Sequence, residues 1–410
     1  MNIAIITTWY AAGGGYVSKA YQKILEKEHK VYIYARGGQI MKGHPVWDHP
    51  NVTWAPWHYN GIETKHFIQW LKKNRIDIAF FNEQRFWEPV LAAKKAGVCI
   101  GAYIDYYTQD TIPAFEIYDF LICNTKRHYS VFDWHPNAHY IPWGTDIEKF
   151  KPNLSQIYRI PTFIISAGWQ PKINKDRRGS LIALNAFKKV IGGCKLLLFT
   201  QVSIEKFSKI WKEAVYNDDR IELRYGTFDP FPFNDGDIYL YPSRLDGIGL
   251  TLPEAISSGL AAITTDNGPM NEYVLEDYNG FLVKVDKYLG RSDGYYWAES
   301  ICNVNSLSER MQKYLDYPNI LYEHKINSRI FSTKYLDWEK NAAQLNNIFC
   351  AERNRIKIHP SRTLIKQIIS LDKMMSPSNT FRLKNSIYYL LKDCLHKAIP
   401  SFFKILKNRI

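Results

Sequence analysis

The chain has 410 residues, 46% of them hydrophobic and 23% charged, a globular composition with room for two cores rather than one. Its net charge of +13 is unevenly held: residues 351–410 carry 13 Lys and Arg against three Asp and Glu, leaving the first 350 residues near balance at +3. That excludes a basic face running along the whole chain and argues against nucleic acid as a partner. The six cysteines (Cys99, Cys123, Cys194, Cys302, Cys350, Cys394) form no C-x-x-C pair and have no histidines at metal spacing, so a reducing, cytoplasmic setting without structural zinc is expected. The apolar start reads as a buried strand and not a signal peptide, because Asn2 stands where a basic region would be and Gly13 follows within a few residues. No run of about 18 apolar residues suggests a membrane span.

Apolar runs alternate with amphipathic stretches through the first half. Strands are predicted at Ile3–Thr7, Lys30–Tyr34, Ile76–Phe81, Val98–Tyr103 and Phe120–Cys123, with helices near Tyr16–Lys27 and Glu88–Ala96. Such alternation means a mostly parallel, doubly wound sheet. A second series follows: strands Thr162–Ala167, Lys195–Thr200, Ile221–Tyr225, Ile238–Tyr241 and Ala261–Thr265, with a helix at Ser180–Val190 and another after Pro253. The expected organisation is a first Rossmann-like domain at 1–152, a second at 153–350 and a basic amphipathic helical tail at 351–410. The polar, proline-bounded stretch Pro152–Pro161 is the expected hinge. A helix-like segment from Tyr335 to Ala351, with Trp338, is expected to close the second series. In the tail, Leu364, Ile365, Ile368 and Ile369, then Ile387, Leu390, Leu391, Cys394, Leu395 and Ala398, then Phe402, Phe403 and Leu406 recur at helical spacing among basic residues.

Two segments can carry chemistry. Ala11, Ala12, Gly13, Gly14 and Gly15 lie between the first strand and the first helix, where glycines let backbone approach a ligand and N–H groups favour an anion. A plain tight turn explains them almost as well, and the spacing is not G-x-G-x-x-G. The run Pro242-Ser243-Arg244-Leu245-Asp246-Gly247-Ile248-Gly249-Leu250-Thr251-Leu252-Pro253-Glu254-Ala255 is more specific. A strand ends, a glycine-bearing loop follows and a helix opens, with one carboxylate in the loop and one in the first helical turn. Loop and helix start can offer N–H groups to a diphosphate, and the carboxylates can accept from sugar and ribose hydroxyls. The bland alternative is that Glu254 complements the helix dipole and Asp246 sits in a turn.

This run resembles the signature of the family 4 glycosyltransferases, in which two acids eight positions apart bracket a Gly-x-Gly-like loop. Asp246 and Glu254 hold those positions, with Asp in place of the usual first Glu. Ile141-Pro142-Trp143-Gly144-Thr145-Asp146, with Phe150 and Pro152, is similar to the stretch ending that family's first domain. Arg178-Gly179 resembles its Lys-Gly pair, and Asn267-Gly268-Pro269, Asn271, Glu272, Asn279 and Gly280 resemble its last loop. Gly13–Gly15 and Glu28-His29-Lys30-Val31 fit its beginning, so the likeness runs over about residues 1–350. The resemblance implies a GT-B fold of two Rossmann-like parallel-sheet domains facing a cleft, and retaining, metal-independent transfer of a sugar from a nucleotide-diphosphate sugar. The acceptor would be a glycan or lipid-linked glycan in cell-surface polysaccharide synthesis, and no cofactor is implied.

By the same resemblance Glu254 would bind ribose, Asp246 the transferred sugar, and the N–H groups of Gly249, Leu250 and Thr251 the phosphates. Gly14 and Gly15 would also approach the donor. Arg178, with Arg177 or Lys175 in support, would neutralise the leaving diphosphate. Base recognition is expected near Tyr225–Phe228, with UDP favoured over GDP. Two departures stand out: Trp169 follows Gly168 where the family commonly has Arg, and Ile104 precedes Asp105 where it often has His. Asp105 is therefore assigned to the sugar or acceptor alone, beside Glu83 and Tyr106. Asp235-Gly236-Asp237 is the nearest approach to a metal-holding D-x-D, and it reads as a strand cap.

The 15% aromatic share suits sugar handling, although a dense core accounts for most such rings. The tail's apolar faces need a cover: an anionic membrane is favoured, which would make the protein peripheral on the cytoplasmic face, over a partner protein or the chain's own domains. Two other readings stay open. A nicotinamide-dependent enzyme would want G-x-G-x-x-G and an acid where Tyr34-Ala35-Arg36 stands. A non-catalytic scaffold of the same shape, recruited through the tail, would accommodate Trp169 and Ile104.

Overall fold

A computed structural model describes residues 1–39, 41–153, 160–173, 175–355 and 359–375, with residues 384, 387 and 391. By internal contacts the chain forms two compact units. The first takes Met1–Ile122, Phe132–His139 and Gln344–Ile410, and the second Cys123–Val131 and Tyr140–Ala343.

Seven strands form the first sheet: β1 (Asn2–Thr8), β2 (Lys30–Arg36), β3 (Val52–Trp54), β4 (Ile78–Asn82), β5 (Cys99–Tyr103), β6 (Phe120–Cys123) and β7 (Ala138–Tyr140). Their order is β3-β2-β1-β4-β5-β6-β7. β1 pairs in parallel with both β2 and β4, so the chain reverses its direction of travel across the sheet at β1/β4. Helices α1 (Gly13–Leu25), α2 (Thr64–Lys73), α3 (Glu88–Lys95) and α4 (Lys126–Phe132) make the crossovers. Strands β4, β5 and β6 are buried at every residue, which is why they read as unbroken apolar runs.

The second sheet repeats the scheme with β8 (Thr162–Gly168), β9 (Lys195–Thr200), β10 (Ile221–Tyr225), β11 (Ile238–Tyr241), β12 (Ala261–Thr265) and β13 (Gly280–Val283). Its order is β10-β9-β8-β11-β12-β13, again with parallel pairs on both sides of β8. Around it lie α5 (Gln170–Ile173), α6 (Ser180–Phe187), α7 (Lys209–Tyr216), α8 (Thr251–Ser257), α9 (Val304–Asp316) and α10 (Pro318–Tyr335). A separate antiparallel hairpin, β14 (Val285–Leu289) and β15 (Glu299–Cys302), precedes α9. One face of this sheet packs Phe163, Ile165, Leu196 and Leu198 against Leu184, Phe187, Trp211 and Met311. Two doubly wound parallel sheets are thus present, as the resemblance implied.

Several local expectations are corrected. The glycines are not a loop before the first helix, since Gly13–Gly15 are its first turn. The helix expected after Pro253 starts two residues earlier, at Thr251. The Tyr335–Ala351 segment is broken into α11 (Trp338–Asn341) and α12 (Leu345–Asn354), because Asp337 caps a new start through Lys340 N–H. Asp237 accepts from Thr162 N–H at 3.1 Å and pairs with Lys325 at 2.6 Å, which ties β11 to β8 and α10.

Past α12 the tail continues as α13 (Arg362–Met375), whose Leu364 and Ile368 are buried within the first unit. α12 sets Phe349 against Phe80 and Phe120, at ring separations of 5.2 and 5.1 Å. The apolar pattern expected from Leu390 to Leu406 lies outside the described residues apart from Leu391, as does most of the expected Pro152–Pro161 hinge. Among the described residues no helix is long and apolar enough to cross a membrane.

Candidate active site

In an open parallel sheet, ligands bind beyond the carboxyl ends of the strands where the order reverses. For the second sheet that point is β8/β11, and the segments leaving these strands carry Trp169 and the 242–250 loop. The loop is tightly anchored. Leu245 and Ile248 are buried, Thr264 Oγ1 donates to Tyr241 O at 2.8 Å, and Thr265 Oγ1 donates to Ser243 O at 2.8 Å. Gly249 adopts φ +79°, and Leu252 N–H donates to its carbonyl at 2.9 Å as α8 begins.

Asp246 is the hub. Its Oδ2 accepts from Tyr241 OH at 2.6 Å and Arg177 Nη1 at 3.2 Å. Its Oδ1 accepts from Gly247 N–H at 2.9 Å and Gly249 N–H at 3.2 Å. Burial would raise its pKa, but the Arg177 charge, the Tyr241 hydroxyl and the Arg178 charge outweigh that and hold it below the ordinary carboxylate range. Arg177 also donates to Leu245 O at 2.7 Å. Arg178 donates to Ser166 O at 3.2 Å and Ser166 Oγ at 3.1 Å, which places its guanidinium under the end of β8 beside Gly168.

The 176–179 turn can lie this close to the loop because of Gly179. At φ +67° it stands where a Cβ would come within 1.9 Å of Pro242 O. Asp176 accepts from Leu181 N–H at 3.2 Å at the start of α6. Burial lifts its pKa to about 6 against the pull of the α6 N–H groups. Glu254 stands in the first turn of α8 with its pKa pushed up to about 8, mainly by burial and further by Asp229, against the pull of Lys149. Thr251 accepts from Tyr239 OH at 2.8 Å. Lys175 is exposed and Trp169 is 47% exposed. Thus Asp246, Arg177, Arg178, Gly249, Leu250, Thr251 and Glu254 belong to one loop-and-helix region of the second unit.

Gly14, Gly15 and Asp105 belong to the first unit. A Cβ at Gly14 would meet the Glu83 carboxylate at 2.6 Å, and one at Gly15 would meet Tyr10 O at 2.1 Å, so close packing accounts for both glycines. Glu83 has φ +53° at the end of β4, where Arg36 Nη2 donates to its carbonyl at 2.6 Å. Asp105 follows β5 by two residues. Its pKa is raised above the usual range by burial and by Glu83, while Arg85 and Arg36 pull it down. The Arg85 guanidinium lies 4.1 Å over the Tyr106 ring.

Sequence reasoning missed three side chains at the loop. Tyr241 reads only as the last strand residue, yet it holds Asp246. Arg127 and His128 reach the same region from α4, more than 100 positions away, and no local spacing announces them.

Residues 233–288 match the family model for glycosyl transferases group 1. No curated protein matches the chain by sequence. Among solved structures, the chain resembles a glycosyltransferase from Rickettsia africae, at 15% identity over 87% of this chain and 99% of that one, with a TM-score of 0.70. It also resembles a sucrose-phosphate synthase from Thermosynechococcus elongatus, at 15% identity over 86% and 98%, TM-score 0.66. Anabaena HepE in complex with UDP-glucose gives 13% identity over 86% and 100%, TM-score 0.66. Two doubly wound sheets, a strand–loop–helix site at the switch point and a family match over that site define a glycosyltransferase of the GT-B class. The chain thus joins a match to the group 1 glycosyl transferases over residues 233–288 to a fold similar to that of GT-B glycosyltransferases.

Proposed function

We propose that the protein transfers a sugar, with retention, from a nucleotide-diphosphate sugar to a glycan or lipid-linked glycan acceptor in surface polysaccharide synthesis. The observation that carries this is the 242–254 strand–loop–helix with two arginines beside it. Arg178, with Arg177, faces the charge that builds on the diphosphate as the glycosidic bond breaks, and so stabilises the transition state more than the ground state. Leu250 and Thr251 offer N–H groups to the phosphates, whereas Gly249 directs its own to Asp246. Glu254 takes the ribose hydroxyls; a carboxyl with its pKa near 8 is mostly protonated at neutral pH and can donate as well as accept.

Asp246 occupies the position of the family's first acid, but four donors already share its two oxygens. Its part here is to shape the loop, with at most an edge of the carboxylate toward the sugar. In the first unit, Asp105 with Glu83 and Tyr106 would meet sugar or acceptor hydroxyls. Gly14 would serve by letting Glu83 close on the start of α1, and Gly15 by letting the Tyr10 carbonyl do the same.

UDP is favoured as the carrier because Anabaena HepE was solved with UDP and with UDP-glucose. Exposed Tyr225 and Phe228, with Gln201 donating to Thr227 at 3.4 Å, suit the base. A surface-glycan role is supported by the similarity to WaaB, a lipopolysaccharide outer core galactosyltransferase, at 14% identity. Peripheral membrane contact through the basic 351–410 segment belongs to the same proposal, on its charge alone.

The test is calorimetry and thermal shift of wild type and Glu254→Ala against UDP, GDP, ADP and CMP. Stabilisation by one diphosphate, lost in the variant, is the expected result. A wild type that binds none would remove the donor-site assignments.

A further inference from the structure

The first turn of α4 meets three loops of the second unit. Lys126 and Arg127 give their backbone N–H groups to the two oxygens of Glu272, at 2.7 and 2.9 Å. The Arg127 side chain donates to Gly268 O and lays its guanidinium 4.3 Å over the ring of Trp297, in the connection between β14 and β15. The start of β15, just after that connection, is tied to the 242–250 loop by the 2.6 Å pair of Arg244 with Glu299 and by Ser300 N–H donating to Arg244 O at 2.8 Å.

Beside Arg127, the fully buried ring of His128 sets Nε2 3.2 Å from Gly247 O, in the loop that carries Asp246. Because a carbonyl only accepts, this contact is a hydrogen bond when Nε2 carries the proton. Gly247 has no side chain to restrain it; a Cβ there would meet nothing within 4 Å. The two peptide planes that meet at Gly247 are therefore held separately: Asp246 Oδ1 accepts from the N–H of the 246–247 peptide, and His128 Nε2 donates to the C=O of the 247–248 peptide.

We propose that His128 and Arg127 are positioning residues of the transfer reaction. His128 fixes the 247–248 peptide plane, and with it the path of the loop toward Leu250 and Thr251. Arg127 clamps the 268–272 turn and the Trp297 connection to the same point. This rests on the donor-site reading above.

The experiment compares His128→Phe, which keeps ring volume and removes the donor, with His128→Gln, whose amide nitrogen takes the place of Nε2. Arg127→Lys, which keeps charge but loses the planar contact with Trp297, is the third variant. UDP affinity is measured by calorimetry, and backbone hydrogen exchange is followed in residues 245–251. UDP binding is expected to weaken by roughly three- to tenfold in His128→Phe and to recover most of that in His128→Gln. Exchange in 245–251 should speed up in His128→Phe and Arg127→Lys, at melting temperatures close to wild type. A residue with only a packing role would move the melting temperature and leave UDP affinity unchanged at saturating fold. If His128→Phe does not fold, His128→Leu takes its place, and unchanged exchange and affinity in it and in Arg127→Lys overturn the proposal. If the wild type itself binds no UDP while exchange responds as described, the loop-holding role stands and its donor purpose falls.

Discussion

Tyr241 and Asp246 are joined by a 2.6 Å hydrogen bond that closes the start of the 242–250 loop on itself. The phenol is buried, and its pKa is raised well above the ordinary value by burial and by the Asp246 charge, so it donates throughout the working pH range. Removing the hydroxyl in Tyr241→Phe leaves Asp246 with Arg177 and two backbone N–H groups. A bond to a charged acceptor is at stake, so unfolding in urea should show a loss of about 1.5–3 kcal/mol. Donor KM should rise with it, whereas an unchanged KM would separate the loop from donor binding.

Gly179→Ala adds a methyl group where Pro242 O leaves no space, at a left-handed backbone position. The expected cost is about 3 kcal/mol or more, seen as a lowered melting temperature or poor soluble yield. Gly193→Ala, at a site with nothing within 4 Å, should change stability by no more than about 0.5 kcal/mol.

Arg178→Ala should lower kcat by roughly 10²–10³ with a smaller change in donor KM, as expected for a group that meets charge developing in the transition state. Arg178→Lys should fall between, having charge without the fork. Steady-state kinetics on the first active nucleotide sugar decide the matter, and a raised KM with kcat unchanged would assign Arg178 to ground-state binding.

Glu254 links pH to stability. Its folded pKa of about 8 exceeds the ordinary 4.5, so the folded state holds the proton more tightly than the unfolded chain. The contribution is complete below the unfolded value and is lost as pH rises through the folded one. The melting temperature of the wild type should therefore fall from about pH 5 to about pH 9 relative to Glu254→Gln, whose amide does not titrate. Parallel curves for the two proteins would remove the assignment.

What the sequence disclosed follows from burial. Phe120–Cys123, Lys195–Thr200, Ile221–Tyr225, Ile238–Tyr241 and Ala261–Thr265 are read to the residue, most of them because strands covered on both faces are continuous apolar runs between polar breaks. β3, β7 and the β14–β15 hairpin escape because they are short or largely half-exposed and carry no such run. At the site, Asp246 and Glu254 are legible because strand, loop and helix are contiguous. Tyr241 lies in the same contiguous stretch but reads only as a strand residue, and Arg127 and His128 are not legible at all: their roles exist only once distant segments are packed together, and neither propensity nor spacing encodes that meeting.

The helix α12 has an implication for how the protein is made. Phe349 fills the space beside Phe80 and Phe120, Asn346 Nδ2 donates to Glu28 at 2.9 Å, and the buried Glu352 pairs with His139 at 3.1 Å. These contacts complete a unit whose other strands end at His139, roughly 200 residues earlier. At about 5–20 residues per second, the ribosome takes on the order of 10–40 s to supply the missing helix. During that interval the first sheet is exposed along the groove that Phe349 will fill, while the ribosome makes the second unit, which is complete at Ala343; the unit begun first is the one finished last.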